Sequence, residues 1–509
     1  MSVSQLCMLI AMLVYLVGMV YIGIAMSKKT ETVGDFFLGG RKLGPIVTAM
    51  SAEASDMSSY LLMGLPGLAY LTGLADVGWT VIGLAAGTYL NWLIVAKPLR
   101  RYSEHTGSIT LPMFFSNRYH DEKRILALIS ALWIIVFFIP YTASGFAACG
   151  KLFASLFGAD YHAAMMVSAV IIIFYTIMGG FLAASTTDLI QSIIMTIALV
   201  IMVCFGTVQA GGFSAVIENA KALPGYLSLS ATHDPVSGTA SPYGPITVLS
   251  TLAWGLGYFG MPHILLRFMA IEEENKIALS RRIASVWVVV AMAIAVLIGF
   301  IGLGMSHVGA IPVLEGSDSE TVVVRISSLL STHGILPALI AGVVLSGILA
   351  CTMSTSDSQL LAASSSVSND ILVEFFHVKI AQEKLLNISR LCLLAIAVIG
   401  VILAWNPNSS VFGIVSFAWA GFGASFGPAM LLALFWRRSN RQGAIAGMLS
   451  GGLFIFIWKF LVRPMGGAFN IYELLPAFLV ALAVNVIVSL ATPAPDAAIV
   501  REFDEVHKR

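Results

Sequence analysis

The sequence predicts an all-α membrane protein of about thirteen transmembrane helices, its N-terminus outside and its C-terminus cytoplasmic. Three observations predict it. Hydrophobic residues make up 58% of the 509 residues and charged residues only 11%, where soluble domains carry about 25% charged. The apolar residues gather in runs of about 20, the length that crosses a bilayer. Lys and Arg fall between alternate pairs of those runs. A net charge of +1 excludes a global basic field for nucleic acid.

The first run, 5–26, lacks a positive leading segment and a small-x-small cleavage site, so it reads as a retained span. The others lie near 43–71, 77–96, 124–154, 161–179, 185–210, 244–270, 279–307, 335–367, 386–405, 410–436, 441–462 and 473–492. With the N-terminus outside, the cytoplasmic segments hold Lys28, Lys29, Arg41 and Lys42, then Lys97, Arg100, Arg101, Arg118, Lys123 and Arg124. Arg267, Lys276, Arg281 and Arg282 follow, then Lys379, Lys384, Arg390, Arg437, Arg438, Arg441, Arg501, Lys508 and Arg509. Of 28 Lys and Arg, only Lys151, Lys221, Arg325, Lys459 and Arg463 fall elsewhere. That asymmetry selects thirteen spans over twelve or fourteen. The external segments 211–243 and 306–334 read as loops or short surface helices. Residues 1–492 form one transmembrane domain, and 493–509 a short, polar cytoplasmic tail.

The second span is unusual. It carries Glu53 and Asp56, the hydroxyls of Ser51, Ser55, Ser58 and Ser59, and Pro66 between Gly64 and Gly67. A charge at the bilayer centre costs about 2.5–3.5 kcal/mol on insertion scales, so such carboxylates mark ion pathways. We read a broken helix whose freed carbonyls and side-chain oxygens bind a cation and a solute, against a loop between two shorter spans. The seventh span, with Gly255, Gly257, Gly260 and Pro262, predicts a second interruption. There Trp254 and Tyr258, four apart, share one helical face. The breaks tip them from core packing toward lining a cavity, and Tyr141, after Pro140, is a weaker candidate of the same kind. Two interrupted spans five apart point to an inverted repeat of five plus five helices, spans 2–6 and 7–11, with the site between them at the midplane.

The ninth span holds the second polar cluster, Cys351-Thr352-Met353-Ser354-Thr355-Ser356-Asp357-Ser358-Gln359. A lone hydroxyl in a span usually bonds back to its own helix or permits close packing. Several around an aspartate favour cation ligation, because Na⁺ wants about five or six oxygens and two helices supply them if one is unwound. Asp188 opens the sixth span, where it either caps the helix or serves as a second cation ligand or gating carboxylate. Buried carboxylates outnumber buried bases, which favours a cation site over an anion channel. The five cysteines sit in apolar runs as small core residues, with no disulfide expected. No His/Glu metal motif, nucleophile elbow or carboxylate pair at fixed spacing supports an enzyme. A channel or Na⁺ sensor remains the alternative class.

At these residues the chain resembles the sodium:solute symporter family. Tyr175-Thr176-Ile177-Met178-Gly179-Gly180-Phe181-Leu182-Ala183 is similar to one family signature, and Ala433-Leu434 through Arg438 to Gly443-Ala444 to the other. Ser55-Asp56-Met57-Ser58, Leu61 to Gly67, Trp254 to His263, Met353-Ser354-Thr355 and Trp419-Ala420-Gly421-Phe422-Gly423 resemble its proline-carrying members. The resemblance implies a leucine-transporter-like core in a bacterial inner membrane, Na⁺ as coupling ion, L-proline as solute, and no obligatory protein partner beyond membrane lipid. It implies a main Na⁺ site of the Ala54, Met57 and Cys351 carbonyls with the Ser354 and Thr355 hydroxyls. Asp56 resembles the family's essential coupling carboxylate. Asp188, with Ser354, Asp357 and Ser358, resembles a second Na⁺ site of some relatives. Ser58, Tyr141, Trp254, Tyr258 and Pro262 would meet the solute. The chain departs at Ser58-Ser59-Tyr60, where proline carriers read Ser-Gly-Trp, at Glu53 for a small residue, and at Asp357 for a hydroxyl. Another amino acid, sialic acid or another organic acid is the alternative solute.

Overall fold

A computed structural model describes residues 2–27 and 32–508. Lys28, Lys29 and Arg509, counted above in the charge pattern, lie outside the described residues. Among the described residues, ten helices are long and apolar enough to cross a membrane, and the one sheet is a two-stranded hairpin.

The chain begins with α1 (Val3–Ser27) and the short α2 (Val33–Leu38), whose N-terminus Thr32 and Asp35 close as a capping box. Next come α3 (Pro45–Met57) and α4 (Leu65–Thr72), the two halves of the expected broken span. The interruption falls at Ser58, with φ 46° and ψ −170°, and not at Pro66. Gly64 keeps right-handed helical angles, and Pro66 sits in the first turn of α4, where a proline costs no hydrogen bond. Gly67 serves contact: a Cβ there would stand 2.9 Å from the backbone of Glu320.

The helices α5 (Leu74–Leu90), α6 (Ala96–His105), α7 (Leu111–Arg118) and α8 (Ile125–Phe157) follow. Then α9 (Tyr161–Gln209) runs through the expected boundary between the fifth and sixth spans, bending at Gly180 (φ 62°, ψ −166°). Only glycine suits that backbone. Asp188 is therefore two turns inside a helix, and the capping role is overturned. After α10 (Phe213–Ala222), β1 (Ala231–Asp234) pairs antiparallel with β2 (Thr239–Pro242) in a segment expected to hold loops or helices. Asp234 makes the turn by accepting from Val236 N at 2.9 Å and Ser237 Oγ at 2.7 Å.

The second broken span comprises α11 (Pro245–Leu252), a 3₁₀ segment at Ala253–Gly260, extended Met261, and α12 (Pro262–Ala270). The expected interruption is present. Its glycines let it press directly on α5: a Cβ on Gly83 would lie 2.4 Å from Leu252 O, and one on Gly255 would lie 2.1 Å from Gly83 O. The chain continues through α13 (Ile277–His307), α14 (Val322–Ser331), α15 (Ile335–Ser365), α16 (Gln382–Leu403), α17 (Val411–Phe435), α18 (Arg441–Ile457) and α19 (Leu474–Ala491). In the expected surface segment 306–334, α14 instead buries Val322, Val323, Val324 and Ile326. The polar tail folds as α20 (Ala497–Lys508), burying Ile499, Phe503 and Val506.

Several of the basic residues counted in the charge pattern turn out to be buried. Arg267, Arg118 and Arg100, counted as cytoplasmic, are buried. Lys151 is buried against Glu320, with Nζ–Oε2 at 2.9 Å. The interior is thus less one-sidedly acidic than the sequence suggests. Hydropathy alone does not separate a span-end arginine that faces water from one that turns inward.

Candidate functional site

The site is built where α3 stops. Ala54 to Met57 are its last turn, and the last four carbonyls of a helix have no partner four residues on. Opposite lies the middle of α15, whose Cys351-to-Gln359 stretch is wholly buried. Ser354 Oγ stands 2.8 Å from Ala54 O and 3.2 Å from Cys351 O. Thr355 Oγ1 is buried without a hydrogen-bond partner. One hydroxyl and two carbonyls from two helices thus meet, with the Thr355 hydroxyl the next along α15.

Asp56 points the other way. Its Oδ2 accepts from Tyr258 Oη at 2.5 Å, and its backbone carbonyl lies 3.5 Å from Tyr141 Oη. Glu53, one turn earlier, is held through Oε1 by Trp92 Nε1 at 2.9 Å and Thr88 Oγ1 at 3.1 Å. Its Oε2 is buried without a partner. Among the described residues neither carboxylate meets a cationic side chain.

A cavity of about 20 Å³ adjoins Asp56, lined also by Met57, Tyr60, Leu84, Tyr141, Trp254, Val415 and Trp419. That holds about one water. Tyr141 and Trp254 line it, whereas Ser58, Tyr258 and Pro262 do not. The Ser58 hydroxyl instead accepts from Tyr60 N at 3.1 Å. Pro262 opens α12 just past the interruption. Trp254 and Tyr258 do not share a face, because at three residues per 3₁₀ turn a four-residue step rotates about 120°. Trp254 stacks on Tyr472 at 4.8 Å and Tyr60 at 6.0 Å, while Tyr258 turns to Asp56. Tyr60, Val415 and Trp419 are additional lining residues. Trp419 stands in a motif already noted for its resemblance, and its Nε1 donates to Trp254 O at 2.8 Å.

A second cluster surrounds Asp188. Arg267 Nη2 reaches Asp188 Oδ2 at 3.2 Å and Ser358 Oγ at 2.6 Å, while Nε reaches Ser51 Oγ at 3.0 Å. Ser51 also donates to Asp188 Oδ2 at 2.6 Å. Asp357 accepts from Tyr175 Oη at 2.8 Å and Ser358 Oγ at 3.0 Å. The predicted residues Asp188, Asp357 and Ser358 are brought together, with an arginine the sequence reading left in the cytoplasm.

Two interrupted helices, with carbonyl and hydroxyl oxygens gathered at one break and carboxylates beside it, define a helical secondary transporter. Residues 36–451 match the description of the sodium:solute symporter family, and the chain belongs to that family. It is a multi-pass membrane transporter and not an enzyme. The osmoregulated proline transporter OpuE of Bacillus subtilis (strain 168) is 40% identical over 501 residues, covering 98% of each chain. The sodium/proline symporter of Escherichia coli (strain K12) is 40% identical over 502 residues, covering 98% of this chain and 96% of that one. A solved Na⁺-coupled sialic acid symporter, substrate-bound and outward-open, superposes with a TM-score of 0.78 at 16% identity, covering 96% of this chain and 99% of the other. A nucleobase-cation-symport-1 family transporter in a closed conformation gives 0.56 at 13% identity, covering 92% and 98%. These last two likenesses are of fold.

Proposed function

We propose that the protein is a secondary active transporter that takes up L-proline with Na⁺ as coupling ion, by alternating access. The proline part is supported by relatives named as proline carriers at 40% identity along nearly the whole chain. The Na⁺ part is carried by one observation: Ser354 Oγ lies within hydrogen-bond reach of both Ala54 O and Cys351 O, beside the unpartnered Thr355 hydroxyl. With Met57 O from the same last turn, these five oxygens are the proposed Na⁺ ligands, and nearby Asp56 is the coupling carboxylate. The Asp188 Oδ1 oxygen is buried without a partner, so Asp188, Asp357 and Ser358 can share a second cation with Arg267 already holding Oδ2.

Proline is a small zwitterion. Its ring suits the cavity between Tyr60, Tyr141 and Trp254, and Ser58, Tyr258 and Pro262 frame the two breaks behind it. Because the cavity now holds about one water, admitting proline requires these walls to part. Thirteen spans remain our reading: ten long helices, one more from the bend at Gly180, and two from the interrupted pairs α3–α4 and α11–α12. The basic residues still place the N-terminus outside and the tail in the cytoplasm of a bacterial inner membrane. We retain the five-plus-five repeat on the same two interruptions, and a single membrane domain over 1–492.

The decisive experiment is uptake of labelled proline into liposomes holding the purified protein. An inward Na⁺ gradient should drive accumulation, and uptake indifferent to Na⁺ would sink the reading. Tyr60 in the cavity wall, at a departure from the proline carriers, favours testing other solutes. Competition by amino acids, sialic acid and other organic acids separates them.

A further inference from the structure

The helix α20 ends against the C-terminal turn of α17, the helix whose Val415 and Trp419 line the cavity. An arginine and a histidine side chain meet the free carbonyls of that turn. Arg118 Nε donates to Ala433 O at 2.9 Å, and His507 Nε2 lies 2.8 Å from Leu434 O. The Arg118 guanidinium is caged by the rings of Tyr102, Tyr119 and Phe503, 5.3, 5.0 and 5.0 Å from their centres. Phe503 also stacks on His507 at 4.1 Å. A positive charge at a helix C-terminus is favourable, so Arg118 stabilises the end of α17, and His507 adds to this when it carries a second proton.

The second nitrogen of His507 decides its chemistry. Nδ1 lies 2.8 Å from Phe503 O. Both partners are carbonyl oxygens, which only accept. A neutral imidazole has one N–H, whereas the imidazolium has two. The docked geometry is therefore fully bonded only when His507 is protonated. His120 Nε2, 3.0 Å from Glu502 on the same helix, obeys the same sign. The neighbouring charges are otherwise matched or open to water. Arg437 pairs with Asp504 at 2.6 Å, and Arg101 pairs with Glu274. Glu104, His105, Glu505 and Lys508 line the adjoining groove.

We propose that α20 is a proton-operated latch on the C-terminal end of α17, with His507 as the proton-binding residue and His120–Glu502 as its second contact. Protonation seats α20 and holds α17; deprotonation leaves one carbonyl facing a lone pair and loosens the seat. Imidazole is the side chain that changes charge between about pH 5 and 8, so the device answers to the pH of the compartment that α20 faces. Its effect on transport rests on the proline reading given above, whereas the docking itself does not.

Hydrogen–deuterium exchange of the full chain in lipid nanodiscs, at pH 6 and pH 8 and corrected for chemical exchange, tests the docking. Losing a charge-assisted bond should lower the protection of 497–508 about tenfold at the higher pH. His507→Gln, whose amide does not change charge between these pH values, should lose most of that difference, and the pair His120→Gln with His507→Gln all of it. Equal protection at both pH values in the unaltered protein, or an undiminished difference in the double variant, overturns the latch. In liposomes, the initial rate of Na⁺-driven proline uptake should change with pH on the α20 side only while both histidines are present. An identical pH response in the double variant overturns the link to transport. If no variant takes up proline, the transport reading fails while the exchange result still decides the docking.

Discussion

Two buried acidic clusters flank the same helix α3, and they are solved in opposite ways. On one side Asp188 meets Arg267, one cation set beside the two carboxylates Asp188 and Asp357. On the other, Asp56 and Glu53 are met only by neutral donors, Tyr258, Thr88 and Trp92. An isolated buried charge is too costly to leave unpaired. The first cluster is partly balanced from within, with Asp188 Oδ1 still open to a ligand, whereas the second has no cationic side chain of its own among the described residues. The difference separates a cluster tied together by an internal ion pair from one held by neutral donors alone.

The contrast can be broken from either side. Arg267→Met should have the largest effect, because removing one partner of a buried pair costs about 3–5 kcal/mol. Thermal unfolding in detergent should show a strongly destabilised protein, and unchanged melting would place Arg267 outside the structural role. Asp56→Asn should fold normally yet lower Na⁺-driven uptake about 10- to 100-fold, the value of one charged interaction. A variant with normal uptake would remove Asp56 from coupling. Next, Ser354→Ala with Thr355→Ala should raise the Na⁺ concentration for half-maximal uptake about tenfold, two neutral oxygens being worth about 1 kcal/mol each at most. A Na⁺ titration with no displacement would refute the site. The smallest effect belongs to Glu53→Gln, whose amide oxygen still accepts from Thr88 and Trp92. Melting and half-maximal Na⁺ should move by less than about threefold, a change of under 1 kcal/mol. A larger change in the Na⁺ titration alone would make Glu53 part of the ion site.

Much of the frame was legible in the chain. Carboxylates and hydroxyls inside apolar runs marked the second and ninth spans, and α3 and α15 do converge there. Glycine and proline in the seventh span announced its interruption. The errors came from punctuation read too literally. Pro66 looked like the break in the second span, yet proline is tolerated in a first helical turn, and the chain turns instead at Ser58. Trp254 and Tyr258 were phased on 3.6 residues per turn, whereas the segment winds at three. Arg267 and Arg118 were counted by sequence position, which says nothing about the side of the helix they leave. The apolar face of α20 was written in the spacing of Ile499, Phe503 and Val506, but high polarity hid it.

The seam between α5 and the 3₁₀ segment has a mechanical meaning. Where Gly83 and Gly255 bring two backbones together, no side chain stands between them to change rotamer or give up volume. Such a contact transmits displacement instead of absorbing it. A displacement of α5 should therefore be passed directly to residues 253–260, which end at extended Met261. That segment carries Tyr258, so the seam joins α5 to the hydroxyl that Asp56 accepts from.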